Sequence, residues 1–231
     1  MLLDKQIAAR IIEINKQYEG YKDFGETSHN FIAQRIKLAG SYERAILYKF
    51  LFKEITTNKY NLEFDCISIL EKLKLDWICK EVLSIYNVYK YKKNETWINS
   101  LIYLLLNIGC SDAKEVIAEN LENNLSKSGN SPEIFYKSIL FSRIDFEDAK
   151  YFFLNYLLEN IDNMHYSNLG FFFLDLLDDE DTSLAFKLIY FIKLENIYTY
   201  NKMKNLMILY LNSNLSNDIS LINKKSILNN L

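Results

Sequence analysis

The sequence predicts an all-α chain, built as a right-handed α-solenoid or a helical bundle of antiparallel helix hairpins. Apolar residues recur three and four positions apart along nearly the whole length, the spacing that gathers them on one face of a helix. Glycine occurs six times and proline once, at Pro132, too few punctuating residues for a turn-dense all-β fold. No stretch alternates apolar and polar residues between Gly- or Pro-bounded ends, so no strand is predicted.

The first segment carries Ile7, Ile11, Ile14 and Tyr18 at helical spacing. In the second, Phe31, Ile32, Ile36 and Leu38 repeat the pattern before Gly40 stops it. Ser41 is placed to cap a third run with Ala45, Ile46, Phe50, Leu51 and Ile55. Further on, apolar helices are expected at 96–108, 132–143 and 166–177. Ser131-Pro132-Glu133 supplies a capping hydroxyl, a proline at the first helical position and an acid in the first turn. Asp145-Phe146-Glu147-Asp148 reads as an acidic N-cap with further carboxylates meeting the positive helix end. Short connections suit antiparallel hairpins, and at ordinary helix lengths the chain holds roughly 11–13 helices.

A shift of 36 residues reveals an internal repeat. Ala113, Ala149 and Ala185 superpose, followed by Val116, Phe152 and Leu188, then by Ile117, Phe153 and Ile189. Leu121 falls on Leu157, and Leu125 on Ile161 and Ile197, while Asp112-Ala113-Lys114 matches Asp148-Ala149-Lys150 residue for residue. The blocks 96–126, 132–161 and 166–194 are therefore expected to be consecutive hairpins, with a weaker copy from Trp77 to Tyr89. Two-helix repeats of this length mark α-solenoids; chance alignment among the amphipathic helices of a bundle is the other explanation. The repeats are similar to HEAT-type hairpins in length and apolar placement. The small residues that a tetratricopeptide repeat requires at fixed positions are large here.

A length of 231 residues is one large domain or two small ones. The chain is read as a single all-α domain, 1–231, with N-terminal helices (1–93), acidic hairpin repeats (94–200) and C-terminal capping helices (201–231). Hydrophobic residues at 49% and charged residues at 25% describe a globular protein and exclude a disordered one. The 25 asparagines are dispersed, as coding drift in an AT-rich genome would leave them. The longest uncharged stretch is the 16 residues between Glu95 and Asp112, too short and too polar to span a bilayer. Met1-Leu2-Leu3-Asp4-Lys5 meets a charge at once and offers no signal-peptide core. Cys66, Cys79 and Cys110 are an odd number without metal spacing, which predicts free thiols, a reducing compartment and a cytoplasmic location.

The sequence carries no recognisable catalytic or cofactor motif. Neither His29 nor His165 sits in a metal-binding spacing, and no Cys pair is separated by two residues. His29 is expected to cap a helix or lie at the surface, His165 to lie in a loop, and neither to converge with a carboxylate or cysteine in a cleft. Phosphate-cradling and nucleophile-elbow motifs do not occur. The expectation is therefore no enzyme, no cofactor and no metal. Asp178-Asp179-Glu180-Asp181 lacks the alternating ligands and mid-loop glycine of a calcium loop. Tyr89-Lys90-Tyr91-Lys92-Lys93 interleaves aromatic and basic residues, but lysines at a helix end also complement its dipole.

Charge is the feature that points outward. Residues 1–93 carry +4, residues 94–200 carry −10 and residues 201–231 carry +3. The central field repels nucleic acid and favours a cationic partner. If the repeat holds, its turns align Asp112, then Asp145, Glu147 and Asp148, then Asp178, Asp179, Glu180 and Asp181, along one partner-binding edge. Helix capping accounts for one or two acids per turn, each worth about 0.3–1 kcal/mol, though not for four in a row. A solvated acidic surface without any partner is the plainer alternative.

A helical, Asn/Lys/Ile-rich chain with the blocks Asp112-Ala113-Lys114 and Asp148-Ala149-Lys150 and these acidic turns resembles the immunity proteins of bacterial toxin systems, including contact-dependent growth inhibition. The resemblance lies in general character over the whole chain. It implies tight binding of a cognate cationic toxin, commonly a nuclease, by a non-catalytic protein that blocks its active site. The acidic field and the lack of a spanning stretch predict neither nucleic acid nor a membrane as partner. The alternative is a helical-repeat scaffold or regulatory protein that binds another protein or a peptide on its concave face.

Overall fold

The computed structural model describes residues 2–18, 27–75, 77–128, 132–169, 182–213, 224, 227–229 and 231. Among these the regular structure is entirely helical, with no strand. The chain divides into two compact units, Met1–Ala113 and Lys114–Leu231. The divide falls at neither charge boundary. It separates the two halves of the expected 96–126 hairpin, since the helix from Glu95 ends the first unit and the helix from Lys114 begins the second.

The first unit contains α1 (Leu2–Tyr18), α2 (Ser28–Leu38), α3 (Ser41–Thr57), α4 (Glu63–Leu73), α5 (Ile78–Tyr89) and α6 (Glu95–Asn107), then a 3-10 turn at Ser111–Ala113. Local chemistry sets the starts. Thr27 caps α2 by accepting from the Asn30 N–H at 3.2 Å, and Asn94 caps α6 by accepting from Trp97 N–H at 2.9 Å. At α3 the N-cap is Gly40, without a side-chain bond, and Ser41 is already helical, which corrects the capping role expected of Ser41. Asn58 and Lys74 end α3 and α4 in the left-handed conformation that Asn adopts more readily than most side chains.

Helix α4 packs against α2, α3 and α6, with Cys66, Ile69, Leu70 and Leu73 buried. Trp97 of α6 is fully buried and donates its indole N–H to the Ile55 carbonyl of α3 at 3.0 Å. The Glu54 side chain is buried in this unit. Its Oε1 accepts from the backbone N–H of Tyr60 at 2.6 Å and of Leu62 at 3.3 Å, organising the turn that leads α3 into α4. Glu54→Ala should cost about 1–3 kcal/mol in urea denaturation, because two backbone donors lose their acceptor. Glu54→Gln keeps an acceptor oxygen and should cost less.

Cys79 of α5 and Cys110 are joined in a disulfide with Cα atoms 5.4 Å apart, while Cys66 is free and buried. This corrects the reading of three free thiols: packing of α5 against α6 and the 3-10 turn brings together two cysteines 31 residues apart. The inference of a reducing compartment, which rested on those thiols, loses its support.

The second unit contains α7 (Lys114–Ser128), α8 (Pro132–Phe141), α9 (Phe146–Asn160), α10 (Thr182–Glu195) and α11 (Ile197–Leu211). The turn at 142–145 folds α9 back on α8, α7 packs on α8, and α10 packs on both α9 and α11. The repeat alanines Ala113, Ala149 and Ala185 are all fully buried, as are Ile117 and Phe153. The register weakens toward the end: Ile161 is buried, whereas its counterpart Ile197 is 59% exposed. Of the helix expected at 166–177, residues 166–169 are helical and the rest lies outside the described residues. No described helix is long and apolar enough to cross a membrane.

Candidate functional site

The acids singled out in the sequence take different roles. Asp145 is the N-cap of α9; its carboxylate accepts from the Asp148 N–H at 3.1 Å and pairs with Lys114 of α7. Glu147 is exposed and pairs with Lys150 one turn along. Asp148 lies 3.6 Å from Lys114 Nζ, so the structure gathers Asp145 and Asp148 around one ammonium group. Asp112 belongs to the first unit, where it is exposed in the 3-10 turn and bonds no described side chain. Asp178, Asp179, Glu180 and Asp181 lie outside the described residues.

The bond from Lys114, aided by the backbone N–H groups of Asp148 and Glu147, holds the Asp145 carboxyl below the usual carboxylate range. A depressed pKa in the folded state means that its stabilisation is present above the unfolded value and is lost as pH falls through the folded one. Asp145→Asn should therefore flatten the acid limb of a stability–pH curve below about pH 4, leaving the curve near neutrality almost parallel to the parent's.

Asp148 also faces a groove. Ala118 and Glu122 of α7 form one wall, and Asp148, Tyr151, Phe152, Asn155, Leu158 and Glu159 of α9 form the other, around a volume of about 740 Å³. On α9 the spacing is three, four and seven residues, which selects one face of the helix. Three carboxylates line the groove and no basic side chain does; Lys114 stands at the Asp148 end. Glu122 and Glu159 are exposed and make no ion pair with a described residue. Between the charges lie Tyr151, 53% exposed, and Leu158, 47% exposed. Tyr151 stands edge-on to Phe191 of α10 with ring centroids 5.5 Å apart, and Lys150 Nζ lies 5.2 Å from its centroid and 5.0 Å from that of Phe191. The aromatic wall is thus held in place by contacts within the chain.

Of these groove residues the sequence reading singled out only Asp148 as a site. Glu122 and Glu159 sit in helix interiors, away from the turns where acids draw notice. Their only signal is helical spacing, in that Glu122 lies one turn beyond Ala118 and Glu159 eleven residues beyond Asp148.

The two histidines differ in their surroundings. His29 Nε2 hydrogen-bonds Asp65 Oδ1 at 2.9 Å, and Asn15 Nδ2 donates to the same oxygen at 2.8 Å, so His29 does meet a carboxylate. α2 and α4 pack together, a tertiary pairing that residue spacing does not encode. No hydroxyl or thiol among the described residues bonds His29, so the pair lacks the nucleophile that a relay would activate. His165 shares a 2.7 Å contact with Ser167 Oγ on an exposed segment. No group of three or more His, Cys, Asp or Glu among the described residues is arranged to hold a metal ion.

No family model, no curated protein and no solved structure matches this chain.

Proposed function

We propose that the chain is a non-catalytic protein-binding module, and specifically an immunity protein that neutralises a cationic, nuclease-type toxin by covering its active site. One observation carries the reading: the α7–α9 groove offers Glu122, Asp148 and Glu159 beside the exposed Tyr151 and Leu158, with no basic residue in its lining. A basic segment lying there would exchange water for carboxylates at the rim and bury its apolar part against the tyrosine. Rim charges accelerate the encounter, and aromatic anchors slow dissociation.

The HEAT-like solenoid belongs to the same proposal. Supporting it are the burial of the repeat alanines and the contacts of α4 with both α2 and α6, which are those of alternate helices stacked in one layer. A cytoplasmic site of action requires the Cys79–Cys110 pair to be reduced there, and thiol counting on freshly lysed cells decides that point.

Crosslinking in the native host, with the parent chain and the triple variant Glu122→Gln, Asp148→Asn, Glu159→Gln, tests the function. A basic protein should be captured by the parent and depleted with the variant. Its expression alone should arrest growth of a bacterial host, and co-expression of the parent chain should restore it. A captured partner that is not toxic, or a rescue equal for parent and variant, contradicts the proposal.

A further inference from the structure

In the first unit, α1, α2 and α3 enclose a cleft of about 470 Å³, a volume within the roughly 300–1,000 Å³ of small-ligand sites. Its floor is apolar, with Ile11, Ile32, Ile36 and Phe50 buried beneath it. At the mouth the groups are charged. Arg10 is paired with Glu13 at 2.6 Å. Arg35 pairs with no described carboxylate; its guanidinium lies over the Phe31 ring, 5.1 Å from the centroid. A guanidinium stays charged at all ordinary pH and presents its donors in a planar fork. Stacked on a ring, it is held in orientation with no described carboxylate paired to it.

An apolar floor under such a guanidinium complements a molecule with a hydrocarbon body and one anionic head. We propose that this cleft binds a free single-chain carboxylate of the fatty-acid class, its chain on the isoleucine floor and its head on Arg35. Glu43, at the same mouth and unpaired among the described residues, opposes a broad anionic surface, which would bring many negative charges to that place at once. The cleft shares no residue with the α7–α9 groove, so the two proposals stand or fall separately.

Titration calorimetry of the full chain with dodecanoate below its micellar concentration tests this, with dodecanol and dodecyltrimethylammonium as comparators. Dodecanoate should bind saturably, one per chain, and about tenfold more tightly than dodecanol, the worth of one charge-assisted bond. Arg35→Gln should erase that tenfold difference while leaving thermal stability unchanged, and Glu43→Gln should tighten dodecanoate. Vesicles of phosphatidylglycerol should sediment no more chain than vesicles of phosphatidylcholine. Absence of saturable dodecanoate binding, equal affinity for the cationic amphiphile, indifference to Arg35→Gln, or capture by phosphatidylglycerol vesicles alone would overturn the assignment.

Discussion

Trp97→Ala should be the most damaging single substitution in the first unit, costing about 3–5 kcal/mol in chemical denaturation. The side chain is fully buried between α6 and the core, so its removal leaves a cavity the size of an indole. It also strips the Ile55 carbonyl of its donor. Trp97→Phe separates the two effects: most of the packing is kept and the hydrogen bond lost, at about 1–3 kcal/mol for an acceptor left unsatisfied. A loss below about 1 kcal/mol for Trp97→Ala would show that α6 does not lie against α3 as described.

The disulfide ranks beside it. Closing a loop between cysteines 31 residues apart restricts the unfolded chain by about 3–4 kcal/mol. The double variant Cys79→Ser, Cys110→Ser should lose that stability, and reductant should lower the parent's midpoint to the variant's while leaving the variant's unchanged. Thiol titration of the unreduced, denatured parent should count Cys66 alone. Burial holds the Cys66 thiol well above its ordinary pKa, so in the native protein it should react only as the fold opens. Three reactive thiols in the unreduced, denatured chain would show that the bridge does not form.

The helices were legible because burial leaves its period in the chain. Ile7, Ile11 and Ile14, or Ala149, Phe153 and Leu157, repeat at the spacing of one helix face, and no competing alternation interrupts them. What lay beyond reach was everything that depends on which helices touch. The pairing of Cys79 with Cys110 needs α5 to pack against the end of α6. The His29–Asp65 bond needs α2 beside α4, and nothing in the residues around His29 announces it. Asp148 was visible as an acid at a helix start, where propensity explains it. Glu122 and Glu159 become part of a site only once α7 and α9 face one another across a groove. Asp145 shows the converse: conspicuous in sequence, it is occupied by its own helix and by Lys114.

The most direct test of the groove as a docking site is the association rate of the proposed cationic partner, as captured by crosslinking, with the parent chain and with the Glu122→Gln, Asp148→Asn, Glu159→Gln variant, at two ionic strengths. Neutralising three rim carboxylates should slow association about tenfold at low salt and flatten its salt dependence, with a smaller change in dissociation. Equal association rates for parent and variant at both ionic strengths would contradict a docking role for the α7–α9 groove.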